Sequence, residues 1–117
     1  MKNEKSITPS TELQIEWCFK VSAQEDFSFK VKGDMLTIAA RGLERNFENS
    51  MVLGLGQVRL LWPAMIDPAL QCVDRQYHMS LIDALAFIFM AIEQIRGDGV
   101  GAQTVNFLMD KSSSLEQ

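Results

Sequence analysis

The side chains best suited to chemistry are His78, Cys72 and Asp74, which lie close together in the chain, and a second cysteine, Cys18, far upstream. A thiol, an imidazole and a carboxylate are the parts of a nucleophilic dyad with its orienting acid, and they work only within hydrogen-bond reach. All three stand at even offsets in residues 70–78, which read as a short strand, so they share a face. Cys72 and His78 are then about 20 Å apart along the strand, too far to exchange a proton. A lone histidine with no positioned nucleophile is not a general base. Zinc needs three or four ligands at short spacing, and one histidine with two distant cysteines does not supply them. Gly54-Leu55-Gly56 opens like a dinucleotide loop, but Arg59 stands where the third glycine belongs and no helix is predicted there. The chain is therefore expected to be no enzyme and to carry no metal or cofactor.

The elements that would position any site are legible from periodicity. Leu13, Ile15, Trp17, Phe19 and Val21 alternate with polar residues, and Phe27, Phe29 and Val31 repeat the pattern after a polar turn at Gln24-Glu25-Asp26. Period-two alternation is the mark of a half-buried strand, so the two segments predict a hairpin. Gly33-Asp34 marks the next turn. Residues 35–47 read as a strand because Gly42 would weaken a helix, and 46–50 read as a turn. Residues 51–62 read as one long strand, bent at Gly54 and Gly56. Pro63 and Pro68 bracket a loop, and residues 70–78 supply a last short strand. The prediction is an α+β fold, a mostly antiparallel sheet of about five strands with one C-terminal helix packed on it.

That helix runs from about Ser80 to Arg96. Ser80 and Asp83 have capping-box spacing, Arg96 suits the negative end of the dipole, and Gly97 suits a left-handed terminus. Gly97, Gly99 and Gly101 predict a flexible connection, Val105–Met109 an edge strand or cover, and residues 111–117 a disordered tail. With residues 1–11 as a loose arm, residues 1–117 read as a single domain. Composition agrees: 47% hydrophobic and 22% charged residues are ordinary for a globular chain. Two cysteines without close spacing, no signal-peptide core, and an apolar run (84–92) shorter than the roughly 20 residues a bilayer requires lead to a cytoplasmic expectation, with no membrane partner. A net charge of -4 argues against nucleic acid, which demands clustered positive charge.

The helix offers the best functional clue. Leu81, Leu85, Ile88 and Ile92, with Ile95 near the end, form a core stripe. The row Asp83, Phe87, Met90, Gln94 lies along another side and ought to face water, yet Phe87 and Met90 occupy its middle. Either the chain folds Val105–Met109 or the 62–68 loop over that row, or the row is a docking patch for a partner protein or a second copy of the chain. Glu12, Glu16, Glu25 and Asp26, on the polar side of the first strand and in its turn, form a surface suited to a basic partner as well as to water. Trp62 and Tyr77 are aromatics placed either to anchor an interface or to fill a core.

The stretch Ile38-Ala39-Ala40-Arg41-Gly42-Leu43-Glu44, with Asp83-Ala84-Leu85 in the helix, resembles a group of small bacterial domains of unknown function. They share an I-A-x-R-x-L strand and a D-A-L C-terminal helix, and the similarity covers residues 36–96. Size, acidity and layout are also similar to those of immunity proteins from bacterial toxin–immunity pairs. That resemblance implies a non-enzymatic protein that neutralises a cognate, basic toxin by direct binding. The alternative is a homodimeric secretion chaperone or structural adaptor that pairs through the helix.

Overall fold

The structure, a computed structural model, describes residues 13–22, 25–42, 47–71 and 73–115. It is α+β. Strands β1 (Gln14–Ser22), β2 (Glu25–Lys32), β3 (Met35–Gly42) and β4 (Phe47–Gly54) form an antiparallel meander in chain order. Alternation dictates the register: Trp17 stands opposite Phe29, Phe19 opposite Phe27, and the rows continue through Phe29–Ile38–Met51 and Val31–Leu36–Leu53. One sheet face is thereby apolar, with Phe27, Phe29, Val31, Leu36, Ile38 and Leu53 buried. Trp17 stacks on Phe29 at 5.3 Å and on Phe19 at 5.5 Å between ring centroids, carrying that face out to β1. The turn at Gly33-Asp34 is where the sequence places it, with Gly33 at φ 62, a conformation glycine adopts without strain.

The sheet has four strands among the described residues, not five. The strand expected over 70–78 is instead the end of a short helix and a 3-10 turn at Arg75–Tyr77. The long strand expected over 51–62 stops at Gly54, whose N–H is taken by the Gln57 side chain at 2.7 Å. From there the chain coils through α1 (Val58–Leu61), a wide turn at Trp62–Ile66 and α2 (Asp67–Gln71). The reason lies in burial: Val58, Trp62, Ile66 and Leu70 are all in the core, while Leu60, which a strand would place on the same face as Val58 and Trp62, is exposed; about one turn for every four residues buries the first set and turns Leu60 outward. Phe47–Ser50, expected as a turn, belongs to β4.

Helix α3 spans His78–Arg96. It starts two residues before Ser80, so Ser80 does not cap it. Asp74 instead accepts the Gln76 N–H at 3.4 Å in the 3-10 turn that leads straight into the helix. The expected C-terminus holds: Gly97 is left-handed and its N–H reaches the Glu93 carbonyl. Arg96 pairs with Asp34 and donates to the Gly33 carbonyl at 2.8 Å, fastening the end of α3 to the β2–β3 turn. Leu81, Leu85, Ile88 and Ile92 are buried as predicted, whereas Ile95 is exposed.

A second long helix, α4 (Val100–Leu115), follows where an edge strand or a cover over the core, and then a tail from Lys111, were expected. It packs along α3. Gly101 is the notch that permits this: a Cβ there would lie 2.4 Å from the Phe89 carbonyl oxygen and 2.8 Å from Glu93 Cβ. Glu93 caps the new helix, accepting the N–H groups of Ala102 at 2.9 Å and Gly99 at 3.3 Å. Thr104 and Leu108 complete the buried stripe, and Thr104 returns its hydroxyl to the Val100 carbonyl at 2.8 Å. Gly101 is thus a contact residue, not part of a flexible link.

Candidate functional site

Helix α3 is buried on two sides, which accounts for its near-uniform apolarity. One stripe (Leu81, Leu85, Ile88, Ile92) and a second (Ile82, Ala86, Phe89) both belong to the core, and the second meets α4 at Phe89. The third side remains open. At about 100° per residue, Asp83, Phe87, Met90 and Gln94 fall within roughly 60° around the axis, and all four are exposed. Phe87 is 72% exposed and Met90 47%, with Ile95, 61% exposed, flanking them. Of the two covers the sequence allowed, neither lies over this row: α4 takes the side of Phe89 and Glu93, and Trp62 is itself buried. A shallow trough runs from Met90 and Gln94 to Ala102, Val105 and Asn106 of α4, so the outward faces of both helices form one surface.

An exposed phenyl ring amid buried neighbours is costly to leave in water. Burying an aromatic side chain of this kind gains roughly 1.5–3 kcal/mol. Asp83 at one end of the row and Gln94 at the other supply a carboxylate and an amide, the polar rim that protein interfaces place around an apolar centre. Among the described residues no cation pairs with Asp83.

The acidic residues lie elsewhere. Glu16 alternates with the inward Ile15 and Trp17, so it stands on the sheet face turned away from the core, opposite Lys30, with which it forms an ion pair at 3.5 Å. Asp26 is half-buried and in register with Lys20 and Arg41 near the other end of that face. Glu25 begins β2, its side chain outside the described ones, and Glu12 lies outside the described residues. The sequence's two sets of partner-facing residues are therefore not brought together. Phe87 and Met90 lie on the helical side, Glu16 and Asp26 on the opposite face of the sheet.

With no strand over 70–78, the 20 Å spacing between Cys72 and His78 no longer applies, and Cys72 lies outside the described residues. His78 is buried and its Nε2 lies 2.8 Å from the Val73 carbonyl oxygen. A carbonyl only accepts, so this nitrogen carries the proton and is spent on the turn. Cys18 is a free, exposed thiol on the outer sheet face. Among the described residues no three histidine, cysteine or carboxylate side chains gather as a metal site would need. Tyr77 packs edge-on to Phe19 at 5.7 Å. By length and composition residues 75–96 are apolar enough to cross a bilayer; here eight residues of α3 are buried within the fold.

No family model, curated protein or solved structure gives a significant match to this chain.

Proposed function

We propose that this chain is a non-catalytic binding protein that docks a partner protein on the outward face of α3, and that it acts as an immunity-type inhibitor of a basic toxin. The observation that carries this reading is the exposure of Phe87 and Met90 on a helix whose other two sides are buried. Large apolar side chains gathered on a soluble surface mark interaction sites, and aromatic anchors in the centre of a patch supply most of the affinity of an interface. Charge complements it. The chain carries a net charge of -4, so a basic partner is drawn to it from a distance. An inhibitor needs only to occupy its target, which is consistent with a chain whose one histidine is engaged with a main-chain carbonyl.

The test is co-expression with the product of the adjacent gene, followed by purification on a tag carried by this chain. A one-to-one complex that protects cells from that product, and that Phe87→Asp disrupts while the variant stays folded, is the expected result. A homodimer in light scattering that Phe87→Asp converts to monomer would replace this reading with that of a dimeric adaptor.

A further inference from the structure

On another side of α3, a cleft of about 450 Å³ opens between the coiled segment after β4, the start of α3 and the end of α4. It is distinct from the docking face: Ile82, in its wall, is five residues from Phe87 and so about 140° around the helix. Its apolar wall is Trp62, Leu70, Ile82 and Phe107. Trp62 and Phe107 meet edge to face, 5.6 Å between centroids at 75°, an arrangement to which a third ring adds readily because ring edges and faces carry opposite partial charge.

Two cations stand in the same cleft, Arg59 and Lys111, against one carboxylate, Asp67. Arg59 is drawn toward α4 by a hydrogen bond from Nη2 to Gln103 Oε1 at 3.0 Å. Lys111 extends over the Phe107 ring, its Nζ 5.1 Å from the centroid. Among the described residues neither is matched by a carboxylate in an ion pair, and Asp67 is engaged with Gln71 Nε2 at 3.4 Å. In a chain whose net charge is -4, the cleft is locally positive by one charge. The volume lies in the range of small-molecule sites, which combine apolar walls with a few placed polar groups.

We propose that this cleft binds a small aromatic monocarboxylate, its ring against Trp62 and Phe107 and its carboxylate between Arg59 and Lys111. A single surplus positive charge matches a monoanion, and Asp67 disfavours a dianion such as a phosphate monoester. The guanidinium keeps donors beyond the one given to Gln103, and a carboxylate is the group its fork matches best. His78 contributes wall alone, since its Nε2 proton is held by Val73.

Titration of the full-length, isotopically labelled chain with indole-3-acetate tests this by NMR, because the two indole N–H signals of Trp17 and Trp62 report separately. Saturable movement of the Trp62 signal, with Trp17 unmoved, is expected with a Kd of about 0.1–1 mM, as suits a ligand of this size. Tryptamine, with the same ring and the opposite charge, should bind at least about tenfold more weakly, and Arg59→Ser and Lys111→Ser should each weaken indole-3-acetate by about tenfold. Should Arg59→Ser disturb the fold, Lys111→Ser and the tryptamine comparison decide alone. Absence of saturable movement, equal binding of tryptamine, or undiminished binding in the lysine variant overturns the proposal.

Discussion

Gly101→Ala is the most informative single substitution because two principles predict opposite signs for it. On a free helix the change stabilises by about 1 kcal/mol, since alanine is the better helix former. In this fold the added Cβ would lie 2.4 Å from the Phe89 carbonyl oxygen and 2.8 Å from both Glu93 N and Glu93 Cβ. Most of those atoms are backbone of α3, so α4 must retreat by roughly 1 Å, a gap that forfeits a quarter to a half of each van der Waals contact along the seam. Overpacking against an immovable neighbour costs about 3 kcal/mol. Retreat also stretches the Glu93 cap on Gly99 and Ala102, worth about 1 kcal/mol. After the propensity gain a net loss of about 3 kcal/mol remains. Urea denaturation followed by far-UV circular dichroism reads this as a midpoint lowered by about 2 M. Gly56→Ala is the reference, because a Cβ there meets nothing within 4 Å, and it should stay within about 0.5 kcal/mol of the parent. A Gly101→Ala protein as stable as the parent, or more so, would refute the close approach of α3 and α4.

Three further measurements follow from the same structure. Leu85→Ala empties a site that is 1% exposed and should cost about 3 kcal/mol, whereas Phe87→Ala on the open face should change stability by less than about 0.5 kcal/mol; thermal melts of the two variants make the comparison. Arg96→Ala removes the ion pair with Asp34 and the bond to Gly33 and should cost about 1 kcal/mol, discounted for the exposure of Asp34, as measured in urea at low and high salt. A double-mutant cycle on Glu16 and Lys30, both largely exposed, should give a coupling below about 0.5 kcal/mol that salt erases.

What the sequence made plain was local. The alternation from Leu13 to Val31 needs no distant partner to be read, and neither does the turn at Gly33 or the end of α3 at Arg96 and Gly97. The second half was harder for physical reasons. Val58, Trp62, Ile66 and Leu70 do repeat every four residues, but Pro63 and Pro68 break that run into short coils, and two glycines precede it in a stretch rich in strand formers. Helix α4 carries Gly101, Thr104, Val105, Asn106 and three serines, residues with little intrinsic helix preference, which dilute the signal of Ala102, Gln103, Leu108 and Met109. Its helicity comes from Glu93, from the notch at Gly101 and from burial of Leu108, all of them contacts with another element. The candidate patch was half legible. Helical spacing alone put Phe87 and Met90 on one line, but it could not show that Glu16 and Asp26 belong to the opposite face of the sheet. The cleft at Trp62 was beyond reach, since Arg59, His78 and Lys111 meet only once three separate segments converge.

Strand order that repeats chain order also has a bearing on synthesis. Each strand finds its neighbour a few residues away, so the meander is free to form as it emerges. Its apolar face, by contrast, waits for α3, and the residues between Gly54 and Ile92 must be added first. At about 5–20 residues per second that interval lasts roughly 2–8 seconds, during which a finished but one-sided sheet is held open to other nascent chains. A chain terminated before His78 should accordingly accumulate in the insoluble fraction, whereas one that extends through α3 carries the helix that covers this face.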